Sequence, residues 1–103
     1  MKKLRVLLIC GSGASSGFMA ANIQKAAASR GIEINVQARS ESTVEDYVED
    51  IDCLMIGPHL ASIKEDMEEI CKGYPICIGV VDRDAYAHLN GDKALDQILE
   101  LCK

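Results

Sequence analysis

Cys10 is the residue that its neighbours best equip to act as a nucleophile. It closes the apolar run Val6-Leu7-Leu8-Ile9 and is followed by Gly11-Ser12-Gly13-Ala14-Ser15-Ser16-Gly17, a stretch made only of Gly, Ala and Ser. A loop of such small residues can bend its backbone amides around a bound group. A helix starting near Phe18 adds unpaired N–H groups and the positive end of its dipole, so the stretch is a cradle for a phosphate-sized anion. The same electropositive setting lowers a thiol pKa and holds part of it as thiolate, the form that reacts. A sulfur nucleophile beside a phosphate cradle points to phosphoryl transfer through sulfur. Cys10 is then the catalytic residue, and Gly11, Ser12, Gly13, Ala14, Ser15, Ser16 and Gly17 are the phosphate-binding set.

Other glycine-rich loops fit less well. Gly11-x-Gly13-x-x-Ser16 approaches the dinucleotide fingerprint, but Ala38-Arg39 stands where an acidic residue should follow the second strand. A nucleotide P-loop needs a Gly-Lys-Ser/Thr run, and the loop holds no lysine. The low-molecular-weight tyrosine phosphatase pattern, Cys-x5-Arg, requires arginine at position 16, which is Ser16. Without that guanidinium, bidentate charge-assisted contacts to the transition state are lost and hydrolysis is inefficient. A relay, whose phosphocysteine must survive until an acceptor arrives, gains from the same loss. A small cysteine-dependent phosphatase is the alternative reading, and an anion-binding module with an inert Cys10 is a third.

Composition bounds the rest. The chain has 103 residues, enough for one domain spanning 1–103, and 49% of them are hydrophobic. The net charge of −5 comes without a basic stripe, which argues against a nucleic-acid partner. No apolar run approaches the ~20 residues that span a bilayer, so membrane insertion is not expected. Met1-Lys2-Lys3 before Val6–Cys10 superficially resembles a signal peptide, but Arg5 interrupts it and the apolar segment is too short. Five cysteines, with no Cys-x-x-Cys pair, support neither a disulfide framework nor a zinc site. Cys53 and Cys77 in strand-like runs, and Cys71 and Cys102 on apolar helix faces, read as core residues of a chain in a reducing cytoplasm.

The elements that must position Cys10 follow from periodicity. A helix is predicted over 18–30, capped by Ser15 or Ser16 and ended by Gly31. Residues 32–38 alternate as a strand with one face less buried. Ser42-Thr43-Val44-Glu45 has capping-box spacing and opens a short helix to about Val48. A third strand runs from Asp52 to Ile56. Pro58 then starts a helix whose stripe is Leu60, Ile63, Met67, Ile70 and Cys71. Ile76–Val81 is a fourth strand, Asp82 caps a short helical turn through Tyr86, and Asn90-Gly91-Asp92 precedes a last helix. Strands alternating with helices across short connections build parallel βαβ units. The fold class is therefore α/β, a three-layer sandwich with an open four-stranded parallel sheet, helices on both faces and the phosphate-binding loop after strand 1.

Residues 6–17, the turn Gly57-Pro58-His59-Leu60-Ala61 and the segment Asn90-Gly91-Asp92-Lys93-Ala94-Leu95 together resemble the lactose/cellobiose-type enzyme IIB of the phosphoenolpyruvate-dependent sugar phosphotransferase system, over essentially the whole chain. The resemblance implies a cytoplasmic phosphocarrier peripherally associated with a membrane permease. In that family the cysteine matching Cys10 takes a phosphoryl group from a phosphohistidine on the IIA partner. It passes the group to a β-linked disaccharide of the cellobiose, lactose or chitobiose class held by the membrane partner IIC. The residues after the cysteine, here Gly11 to Gly17, bind the phosphoryl oxygens, and neither metal nor organic cofactor is required. Where the family turn reads Gly-Pro-Gln this chain has His59. His59 is a candidate accessory residue that could hydrogen-bond the phosphoryl group or meet IIA, although an exposed helix-start residue is the favoured reading. His88 reads as a surface turn residue.

Overall fold

The structure is a computed structural model that describes residues 3–9 and 14–102, with the backbone alone for Ala14–Ser16. Cys10, Gly11, Ser12 and Gly13 lie outside the described residues, as do the side chains of Ala14, Ser15 and Ser16.

Four parallel strands, β1 (Leu4–Ile9), β2 (Ile34–Arg39), β3 (Cys53–Ile56) and β4 (Cys77–Val80), form one sheet in the order β2-β1-β3-β4. The continuous apolar run of β1 is explained by its central place, because both of its faces are covered. Val6 and Leu8 point into one layer with Val36, Met55, Met19, Ile23, Leu95 and Ile98. Leu7 and Ile9 point into the other with Leu54, Ile56, Val44, Ile51 and Met67. The first layer is roofed by α1 (Ala14–Ser29), α3 (Arg83–Ala87) and α4 (Gly91–Leu101). The second is roofed by 3₁₀ segments at Glu41–Asp46 and Pro58–Ile63 and by α2 (Lys64–Ile70). From β1 the chain steps to β2 on one side; from β2 it returns past β1 to β3. Right-handed crossovers running in opposite directions must cover opposite faces, which produces the three layers.

A glutamine side chain meets the backbone at each edge of the sheet. Gln24 on α1 accepts from the Val36 N–H at 2.7 Å, and Gln97 on α4 bridges β4 by donating to the Val80 carbonyl and accepting from the Asp82 N–H. An unpaired strand edge invites pairing with another chain, and these amides occupy it. The less buried face foreseen for β2 is present: Asn35 and Gln37 are half-buried, while Val36 between them is buried.

Several boundaries differ from the sequence reading. α1 opens at Ala14, not near Phe18, so Ala14–Gly17 form its first turn and the loop proper is shorter. Nothing in Ala14-Ser15-Ser16-Gly17 blocks helical φ/ψ, and burial of Met19, Ala20 and Ile23 secures the helix one turn later. The segment after β2 is a 3₁₀ turn over Glu41–Asp46 capped by Ser40, which accepts from the Ser42 N–H; Ser42 is not the cap. The helix from Pro58 is split: Leu60 leaves helical geometry (φ −111°, ψ 19°), and α-helix begins only at Lys64. Asp82 caps α3 as read, accepting from the Ala85 N–H at 3.1 Å, and Asn90, read only as preceding the last helix, caps α4 by accepting from the Lys93 N–H at 3.1 Å. Cys53 and Cys71 are buried as expected, whereas Cys77 and Cys102 are only half-buried.

Candidate functional site

The site is built by where β1 stops. Ile9 is the Cα partner of Arg39 on one side and Ile56 on the other, and its carbonyl accepts from the Gly57 N–H at 2.9 Å. The backbone is thus fixed on both sides up to the residue before Cys10. From β1 the chain turns to β2 and later re-enters beyond it at β3, so the carboxyl ends of β1 and β3 frame the topological switch point. An open α/β sheet binds its ligands there.

Directly after the loop, α1 presents its amino terminus to this edge. The N–H groups of its first three residues, Ala14, Ser15 and Ser16, have no partner within the helix and carry the positive end of the macrodipole, and Gly17 completes that turn. These four members of the predicted phosphate-binding set are therefore together in one helical turn. Cys10, Gly11, Ser12 and Gly13 lie outside the described residues.

His59 belongs to the turn that leaves β3 on the same edge. It is exposed, and its ring stands 5.6 Å from that of Tyr86 at 55°. With Pro58, Arg83 and Ala87 the two rings line a shallow cleft of about 330 Å³. Asp82 stands where the chain leaves β4. The Ala85 N–H and the Lys93 ammonium, 3.3 Å away, hold its carboxyl below the usual carboxylate range. Arg39, in register with Ile9, is turned away: its guanidinium donates to its neighbour's carbonyl, that of Ala38, at 2.8 Å and to the Tyr47 hydroxyl at 2.9 Å. Glu41 follows on this edge, with Oε2 shielded from solvent and no partner among the described residues. Among the described residues no group of three His, Cys, Asp or Glu is arranged to hold a metal ion.

Two residues escaped the sequence reading. Phe18, 65% exposed, projects from α1 one residue after Gly17. An aromatic outside the stripe of Met19, Ile23, Ala26 and Ala27 was the available signal. Tyr86 had none, since its contact with His59 joins positions 27 residues apart in sequence. His88 is the surface residue expected, 3.4 Å from Asp84.

The fold is shared with known proteins. The family model for the lactose/cellobiose-specific IIB subunit of the phosphotransferase system matches residues 5–97. The chain belongs to that family. Within it, the oligo-beta-mannoside-specific EIIB component of Bacillus subtilis is 31% identical over 101 residues, covering 98% of this chain and 96% of that protein. The lactose-specific EIICB component of Lacticaseibacillus casei is 29% identical over 93 residues, which are 88% of this chain and 16% of that longer protein. The lactose-specific IIB component domain from Streptococcus pneumoniae superposes with a TM-score of 0.89 at 23% identity, covering 99% of this chain and all of that one. The open parallel sheet is thus the fold of a solved IIB domain, and phosphotransfer within this system is the activity that family membership implies. Among the described residues no helix is long and apolar enough to cross a membrane.

Proposed function

We propose that this IIB protein is a cytoplasmic phosphocarrier in which Cys10 is phosphorylated by the phosphohistidine of a IIA partner and delivers the group to a β-linked disaccharide held by IIC. The Cys10 thiolate attacks phosphorus in line, forming the S–P bond as the P–N bond to imidazole breaks. The proton lost on forming the thiolate balances the one the departing imidazole takes up. A sugar hydroxyl then attacks phosphocysteine, forming the O–P bond as the S–P bond breaks, and the hydroxyl proton is taken up by the departing thiolate. Such transfers depend on positioning and on stabilising the equatorial oxygens, which is the work of the amides from Gly11 to Gly17 and the hydroxyls of Ser12, Ser15 and Ser16.

The observation that carries this reading is the α1 amino terminus, opening at Ala14 behind the carboxyl end of β1 and in the switch-point crevice. The orphan N–H groups of Ala14, Ser15 and Ser16 offer a dianionic phosphoryl group its counter-dipole. The fusion of a IIB-like segment into a longer EIICB protein supports IIC as a neighbour. The oligo-beta-mannoside, lactose, galactose and cellobiose names of relatives support a sugar as acceptor.

The experiment is phosphorylation from phosphoenolpyruvate through the general phosphotransferase proteins and candidate IIA proteins, with the modified peptide mapped. Cys10 should carry the phosphoryl group, Cys10→Ser should carry none, and a generic aryl phosphate should be turned over barely at all. Labelling of Cys10→Ser, or efficient hydrolysis of the aryl phosphate, would sink the relay.

A further inference from the structure

Three cysteines that phosphoryl transfer leaves idle meet at the opposite, amino edge of the sheet. Cys53 and Cys77 open β3 and β4 and are Cα partners across that parallel pair. Cys102 stands just past α4 and packs, like Cys77, against the core layer that holds Cys53. The three are not equally accessible. Cys53 is wholly buried, whereas Cys77 and Cys102 are half-buried and line a cleft of about 240 Å³ with Lys3, Leu4, Asp52 and Pro75. Two cysteines that line one cleft, both reachable by a small molecule, are placed for joining across it. Cys102 has already left helical geometry (φ −99°, ψ 22°), so its side chain can turn without unwinding α4.

We propose that Cys77 and Cys102 form a reversible disulfide by exchange with a low-molecular-weight disulfide entering this cleft, giving the amino edge a redox-modification site separate from the phosphoryl site. In the first step the Cys102 sulfur, having lost its proton, attacks one sulfur of the small disulfide. A mixed disulfide forms and one small thiolate leaves. The deprotonated Cys77 sulfur then attacks the Cys102 sulfur and expels the second small thiolate. Two protein thiols are oxidised, one small disulfide is reduced to two thiols, and the two protons released are taken up by the departing thiolates. Cys53 cannot start the exchange because solvent does not reach it. Burial pushes the Cys102 thiol up to about 11, so thiolate is scarce at neutral pH and the pair answers sustained rather than brief oxidation. The bond ties the end of α4 to β4, where the Leu101 side chain already covers Gly79, so the oxidised chain should melt at a higher temperature.

The test incubates the full-length chain in a series of oxidised and reduced glutathione mixtures and maps peptides without reduction. The expected result is a Cys77–Cys102 link that grows with the oxidised fraction and reverses with dithiothreitol. It should disappear in Cys102→Ser and in Cys77→Ser, persist in Cys10→Ser, and raise the melting temperature by several degrees. Mixed disulfides that never resolve, linkage of Cys102 to Cys53, or linkage that forms only in denaturant would each overturn the proposal. So would a chain in which Cys10 is fully oxidised while Cys77 and Cys102 stay reduced.

Discussion

Gly91→Ala should be far more damaging than its single methyl suggests. Gly91 is the first residue of α4 and is buried against the backbone of α1. A Cβ there would lie 2.3 Å from the Asn22 carbonyl oxygen, 2.4 Å from its carbon and 2.8 Å from the Ile23 nitrogen. Ordinary contact begins at 3.4 Å, so α4 would have to retreat by about 1 Å, the overlap that overpacking cannot absorb. All three atoms are main chain of a helix held by Met19, Ile23, Ala26 and Ala27, and no side chain can swing aside. Retreat would loosen Ala94, Leu95 and Ile98, which α4 buries in the same layer. Overpacking of this kind costs about 1–3 kcal/mol, and backbone overlap places it near the top of that range. The helix-propensity gain of alanine over glycine, about 1 kcal/mol at most, offsets part of it. A net loss of about 2 kcal/mol corresponds to a melting temperature lower by about 8–16 °C in a domain of this size. Thermal unfolding followed by circular dichroism reads it directly. The same substitution at Gly17, which has no described atom within 4 Å of its would-be Cβ, should stabilise by a few tenths to about 1 kcal/mol. If both variants move the melting temperature in the same direction, the account of α1–α4 packing is wrong.

Two further outcomes follow from the carboxyl edge. Asp82→Asn keeps a capping acceptor but loses the charge that Lys93 meets. Because the folded-state carboxyl lies below its ordinary value of 3.8, its contribution is complete above that value and is lost as pH falls through the folded value. The melting-temperature gap between Asp82→Asn and the native chain should therefore be widest near neutral pH and close as a titration proceeds below 3.8; a constant gap refutes the ion pair. His59→Ala removes an exposed ring that leans on Tyr86. The initial rate of Cys10 phosphorylation from a IIA donor should stay within about twofold of the native chain, the range of an ordinary surface substitution. A tenfold fall would make His59 part of the transfer site.

The strands and their faces could be read without coordinates because burial imposes the pattern. A central parallel strand must be apolar on both sides, and Val6-Leu7-Leu8-Ile9 divides its side chains alternately between two layers. The Asp82 cap was legible for a similarly local reason, since it bonds an amide three residues ahead. Helix starts were less so. Ser15 and Ser16 are chemically suited to cap a helix yet lie inside one, because the decision belongs to burial a turn later.

What the sequence determined by itself is the chemistry on offer: a thiol, a run of small residues able to expose amides, and the alternation that sets β1 at the centre of a sheet. These are local properties, carried by residue type and spacing over a dozen positions. Tertiary structure alone decided which distant residues share an edge. It brought the His59 ring to Tyr86, set Gly91 against the Asn22 carbonyl, and gathered Cys53, Cys77 and Cys102 at the far end of the sheet. Such meetings depend on strand order and on how closely two helices approach, and neither quantity is written in any one stretch of chain.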